Sequence, residues 1–351
     1  MKQNLLASVL SFLSENRKSK IGNPKWLGFP VVAFVLAVAG SVTHAQQPVK
    51  IFRIGYLTGA SLSAITVRTE TFRQGLRELG YIEGKNIVVE WRSAEGKLDR
   101  LPALAAELVG LKVDLIISAG TDVTAVLKKA TVTTPVVMTQ DRDPVGIGFV
   151  ASLARPGGNI TGLSMLSPEL NGKRLELLRE IVPGLSRAAV FGTSTRPGNA
   201  RELKEIELAG AALGVKVQYS DVLNSNDIEK AFRAAVKERA GGALMNVSGP
   251  VYTSQRFTEI AELAVKSRLP VIYARREFVE SGGLVNYGVS VLDLDRRAAI
   301  YVDKILKGRK PTDLPVEQPM KFEFIINLNA AKQIGLTIPP NVLVRADRVI
   351  R

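Results

Sequence analysis

A two-lobed α/β fold, each lobe a doubly wound parallel sheet covered by helices, is predicted by three observations. Short apolar runs alternate with amphipathic helical stretches from residue 51 onward, the runs are apolar on both faces, and the alternation halts at a Pro-Gly-Gly-Asn turn before starting again. Strands that are apolar on both faces belong in a parallel sheet with helices on each side. With 351 residues, 46% of them hydrophobic, the chain can bury two cores of ordinary domain size.

In the first half, the run at 51–57 is a strand ending at Thr58-Gly59. It feeds a helix whose apolar side is Ile65, Phe72, Leu76 and Leu79, closed by Gly80. NIVVEW is a second strand, followed by a helix carrying Leu101, Leu104, Ala105, Leu108 and Leu111 on one face. VDLIISAG, the helix TDVTAVLKKA and the strand PVVMTQ complete this half. The second half repeats the pattern with AAVFGT, RELKEIELAGAAL, VKVQYSDV and DIEKAFRAAVKER. In the last of these Ile228, Ala231, Phe232, Ala235 and Val236 follow the spacing of a core-facing stripe. GALMNVSG, a helix over 254–267 and PVIYAR follow.

The tail departs from simple repetition. GGLVNYGVS is a strand, residues 293–308 form a helix with Ala298, Tyr301, Val302 and Ile305 inward, and a proline-rich connector leads to one more strand and helix. Three crossings between the lobes are expected. The first lobe takes 50–162 plus about 283–318, and the second takes 163–282 plus about 319–345; the residues alone leave open which lobe holds the last strand. The stretch RPGGNITG is read as the first crossing. Gly157, Gly158 and Gly162 are its hinge positions, Pro156 fixes the approach, and β-branched Ile160 and Thr161 favour an extended passage.

The first 45 residues are unlike the rest. Lys2, Arg17, Lys18, Lys20 and Lys25 precede an uncharged run over 29–40, and Thr43 and Ala45 are the small residues of a cleavage site. This is the pattern of a secretory signal peptide over 1–45, and the run is too short to span a membrane. Cleavage after Ala45 removes five basic residues and one acid, taking the formal charge from +14 to +10. It also removes His44, the only histidine, leaving a chain with neither His nor Cys. Zinc sites of the usual kind and Ser-His or Cys-His nucleophile pairs are thereby excluded, as is a lipid-anchoring N-terminal cysteine. The remaining basic residues are dispersed singly among acids on helix faces, as at Lys128, Lys129, Arg201, Lys204, Lys237 and Arg239. They read as solvated surface and not as a nucleic-acid interface.

No cofactor, metal or catalytic set is expected. Gly55 and Gly59 in GYLTGAS lack the dinucleotide-binding spacing, and the glycines of RPGGNITG lead into a strand instead of a helix N-terminus. In a parallel α/β sheet ligands bind beyond the carboxyl ends of the strands. Those ends supply Thr58, Ser61, Gly120, Thr121, Gln140 and Asp141 in the first half, and Asn246, Ser248, Tyr273, Arg275 and Tyr287 in the second. Small hydroxyls, amides, aromatics and single charges suit a site that holds a small polar or zwitterionic molecule without reacting with it.

IGYLTG (54–59), DPVG (143–146), LARPGGNITGLS (153–164), VDKILKG (302–308) and LPVEQP (314–319) give the chain a close resemblance, over 48–350, to the ABC-transporter substrate-binding proteins once catalogued as a domain of unknown function. Some members of that family bind tryptophan or other amino acids. The resemblance implies a type I periplasmic binding protein, non-enzymatic, monomeric and periplasmic. Its two Rossmann-like lobes would close on a small-molecule ligand and present it to an ABC permease in the inner membrane. A sensor that shows its closed form to a membrane receptor is the alternative. On this basis Asp141 would pair with a ligand amino group, and Thr58, Ser61, Thr121, Asn246 and Ser248 would hold a polar head. Tyr273 and Tyr287 would pack on an apolar side chain, with Arg275 as a second anion anchor.

Overall fold

The computed structural model describes residues 50–247 and 254–351, so the expected leader over 1–45 lies outside the described residues. The first lobe is built on β1 (Phe52–Thr58), β2 (Ile87–Ser93), β3 (Leu115–Ala119), β4 (Val136–Asp141) and β5 (Ile160–Ser164). These pair in the order β2-β1-β3-β4-β5, all parallel. Alternation along β1 sorts its side chains between two helical layers. Ile54 and Tyr56 pack with Phe72 and Leu76 of α1 (Thr66–Glu78) and with Leu294, Ala298 and Val302 of α9 (Val291–Leu306). Leu57 packs on the other face with Leu104 and Leu108 of α2 (Leu101–Gly110) and Leu127 of α3 (Thr121–Ala130). Each such fully buried aliphatic contributes roughly 2 kcal/mol.

The second lobe holds β6 (Arg187–Gly192), β7 (Lys216–Asp221), β8 (Gly242–Asn246), β9 (Val271–Tyr273), β10 (Val285–Val289), β11 (Phe322–Asn327) and β12 (Arg348–Ile350), in the order β12-β11-β10-β9-β8-β6-β7. One face is covered by α4 (Ser167–Ile181) and α5 (Asn199–Leu213), through Leu175, Leu178, Ile181 and Ile206. The other is covered by α6 (Ser225–Lys237), α7 (Ser254–Lys266) and α8 (Arg276–Glu280), through Phe232, Ile260 and Phe278. The predicted stripe of α6 is buried at Ile228, Ala231, Phe232 and Ala235, while Val236 stands 50% exposed at its edge.

The segment expected whole in the first lobe from about 283 to 318 is divided. Its strand, β10, pairs with β9 and β11 in the second sheet, and only its helix, α9, crosses to lie on α1. The two helices approach closely: a Cβ at Gly75 would stand 2.7 Å from the Arg296 carbonyl oxygen. β11 is antiparallel to β10, with Phe322 opposite Val289. The reason is topological. β10 ends facing the cleft, the chain visits the first lobe, and it re-enters the second sheet at the same end, so β11 must run the other way.

The first crossing is also displaced from its expected place. Ile160 and Thr161 are paired with Val136 and Val137 in the first sheet, so RPGGNITG lies within the first lobe. The chain passes over after β5, at Met165–Leu166, where Leu166 takes a left-handed φ of 51°. Gly157 and Gly158 instead form a turn before β5, braced by the Asn159 amide, which donates to the carbonyls of Thr131 and Thr134. Gly162 has a different role. Its φ is +129°, and a Cβ there would lie 2.2 Å from the Met138 carbonyl oxygen, so only glycine permits the irregular β4–β5 pairing. The passages run side by side: Glu317 N–H donates to Gly162, Ser164 N–H to Glu317, and Ser290 N–H to Lys321.

Candidate ligand cleft

The carboxyl ends of both sheets face one cleft of about 180 Å³. From the first lobe Thr58, Ser61, Gly120, Thr121 and Gln140 line it, each at or just beyond a strand end, as the sequence predicts. Gly120, with φ of 124°, turns the chain from β3 into α3 and sets the amino end of that helix against the cleft. Unpaired N–H groups and the helix dipole there favour an anionic group. Arg275 lines the second-lobe wall and is ion-paired with Glu277.

Other predicted residues stand off the wall. Asp141 is fully buried beneath it, where its Oδ2 accepts a hydrogen bond of 2.7 Å from Thr124 Oγ1 and its Oδ1 has no partner. Burial pushes the Asp141 carboxyl up to about 7, opposed by the bond from Thr124 and helped by the charge of Asp122. Tyr273 is a core residue stacked on Phe278, with centroids 4.7 Å apart. Tyr287 packs between Phe322 and Phe324. Its carbonyl accepts from Arg174 Nε at 2.7 Å. Asn246 lies behind the wall as a partner of charged groups, and Ser248 lies outside the described residues.

The dominant feature was not singled out from the sequence. Arg68, Arg142, Arg174 and Arg196 join Arg275 around the cleft, against Asp122 and Glu95. Arg68 and Arg174 occupy helices, where a basic residue ordinarily reads as solvated surface. Here both are buried, at 8% and 3% exposure. Arg68 Nε donates to Asp295 Oδ2 of α9 at 2.9 Å, while its buried Nη2 has no partner. Gln140 Nε2 donates to the other Asp295 oxygen at 3.3 Å. Burial raises the Asp295 carboxyl above its ordinary range, with the Arg68 charge opposing. Arg196 forms a two-pronged pair with Glu202 at 2.8 and 2.9 Å, and Asn246 Nδ2 donates to the same carboxylate at 2.6 Å. Burial alone would raise Glu202, but the Arg142 charge and the bond and charge of Arg196 hold it down to about 2. Leu98, Val123, Met165 and Ala274 supply apolar wall between these polar groups. Among the described residues there is no metal-ligating cluster of acids, and no helix is long and apolar enough to cross a membrane.

Two doubly wound lobes joined by three passages, with a polar cleft between the strand ends, define a type I periplasmic binding architecture. The chain belongs to the family described as ABC transporter substrate binding protein, whose family model matches residues 56–350. It is similar to a tyrosine-binding protein of Clostridioides difficile (strain R20291), with 25% identity over 266 residues, 76% of this chain and 75% of that protein. Among solved structures, a conserved domain protein from Vibrio cholerae superposes with a TM-score of 0.80 at 29% identity, covering 86% of this chain and all of that one. An ABC domain in complex with L-Trp from Streptococcus pneumoniae superposes at 0.79 with 25% identity and the same coverage.

Proposed function

We propose that the protein is the exported solute-binding component of an ABC importer, which takes a small amino acid with an apolar or aromatic side chain into the interlobe cleft and hands it to a membrane permease. The observation that carries this reading is the composition of the cleft: a cluster of guanidinium groups, a helix amino end and one buried-side acid, with apolar wall between them. A zwitterion needs that combination. Its carboxylate would meet the guanidinium groups that line the cleft, Arg68 among them, and the amino end of α3, and its ammonium would meet Asp122, which replaces Asp141 in the role first expected for it. The side chain would lie against Leu98, Val123 and Met165. The names of the relatives, which bind tyrosine and L-Trp, support an aromatic side chain.

Export through the leader over 1–45 places the mature, monomeric protein in the periplasm on this reading. The protein is a binder and not an enzyme. Contacts to both lobes would favour the closed form that a permease recognises. Calorimetric titration with L-tyrosine, L-tryptophan and small carboxylates tests the proposal. Saturable binding of one of the amino acids, weakened at least about tenfold in Arg68→Met, is expected. No binding of any of these ligands would refute it.

A further inference from the structure

A carboxylate of the second lobe lies buried behind the cleft wall, where a first-lobe side chain reaches it. Glu202 is fully buried in the second lobe, bonded to Arg196 and Asn246, and Arg142 reaches it from the first lobe. Arg142 Nη1 donates to Asn246 Oδ1 at 3.0 Å and lies 3.6 Å from Glu202 Oε2. The next residue makes a second bridge between the lobes: Asp143 pairs with Arg201 of α5 at 3.1 Å. A third contact is apolar. Ile147 packs so tightly against Gly198 that a Cβ there would lie 3.1 Å from Ile147 Cδ1. One loop, 142–147, which follows β4, thus docks on the 196–202 region of the opposite lobe.

We propose that this loop is an interlobe latch in which Glu202, preset as an anion by Arg196, receives Arg142 when the cleft shuts. Closure is then driven by protein charges as well as by the ligand, and Arg142 is a positioning residue for closure rather than a ligand anchor. Two features suit a latch over a permanent clasp. Glu202 is already neutralised within its own lobe, so opening leaves no buried orphan carboxylate. Arg201 is half exposed, so its bridge to Asp143 opens at little cost. The backbone N–H of Arg142 donates to Thr121 Oγ1 at 3.3 Å, which ties the loop to the start of α3 in the ligand cleft. A ligand seated at that helix end therefore bears on the same loop.

The latch depends on the two-lobe geometry and needs the proposed ligand only for its affinity consequence. Small-angle scattering of the ligand-free protein, wild type against Arg142→Ala and Asp143→Asn, tests it directly. The first-lobe variants are chosen because Glu202→Gln would strand the buried Arg196. Both should shift to a larger radius of gyration, Arg142→Lys should recover part of the shift, and the affinity of Arg142→Ala for L-tryptophan should fall at least about tenfold. Superimposable scattering curves for wild type and Arg142→Ala would overturn the latch even if the amino acid binds. If no amino acid binds the wild type, the proposed function falls, while the scattering comparison still decides the latch.

Discussion

Replacing Asp141 with Asn should make the protein's stability less dependent on pH, by an amount that follows from the site. The carboxyl is fully buried, has one unpartnered oxygen, and is pushed from an ordinary 3.8 to about 7. The folded state therefore holds a proton that the unfolded chain releases. Stability from this group is present in full below pH 3.8, declines as pH rises, and is lost once pH has passed about 7. The interval corresponds to about 4 kcal/mol. Asn keeps an oxygen to accept from Thr124 and places an N–H at the unpartnered position, much as the protonated acid does. Urea denaturation of both proteins from pH 4 to pH 9 isolates the group, because other titrations cancel in the difference. The variant should gain on the wild type steadily between pH 4 and 7 and hold a constant lead above. A stability difference that stays flat from pH 5 to 8 would refute the argument. Ligand affinity should be unchanged, since Asp141 lies beneath the cleft wall; a large loss would return it to the role of ammonium partner.

Gly162→Ala should destabilise the protein by roughly 3 kcal/mol or more, seen as a lowered denaturation midpoint, because its φ of +129° and a Cβ 2.2 Å from the Met138 oxygen leave no room. Gly158→Ala, with neither a positive φ nor an atom within 4 Å, should stay within about 0.5 kcal/mol and leave ligand affinity and scattering unaltered, which separates a static turn from a hinge. Tyr273→Phe removes a buried hydroxyl that has no partner while keeping the stack on Phe278. Its thermal midpoint should be equal to or above the wild type's, with stability rising by up to about 1 kcal/mol. Unchanged binding in that variant would show that the hydroxyl makes no ligand contact.

Much of the architecture was legible from local pattern. Periodicity of two along β1 and of nearly four along α6 records which faces are buried, and burial of those faces is what the core selects. The first-lobe half of the cleft was legible for a related reason. Thr58, Ser61, Gly120, Thr121 and Gln140 sit where parallel strands end, and in this class of sheet strand ends converge on the ligand side. The arginines were not legible. Arg68 and Arg174 carry no local mark that distinguishes them from wet basic residues, because their burial depends on Asp295, more than two hundred residues from Arg68, and on the Tyr287 carbonyl.

Residue order alone thus determined the class of fold, the restart of the alternation and most first-lobe strand ends, since each depends on neighbours within a turn or a strand. Tertiary structure decided where the chain crosses. β-branched residues at 160–161 fit an edge strand as well as a passage, and only the vacant edge of β4 selects between them. It decided the reversed direction of β11, which follows from the end of the sheet at which the chain returns. It also decided the charge of the cleft, because a guanidinium becomes part of a site only when distant carboxylates, carbonyls and helix ends fold around it.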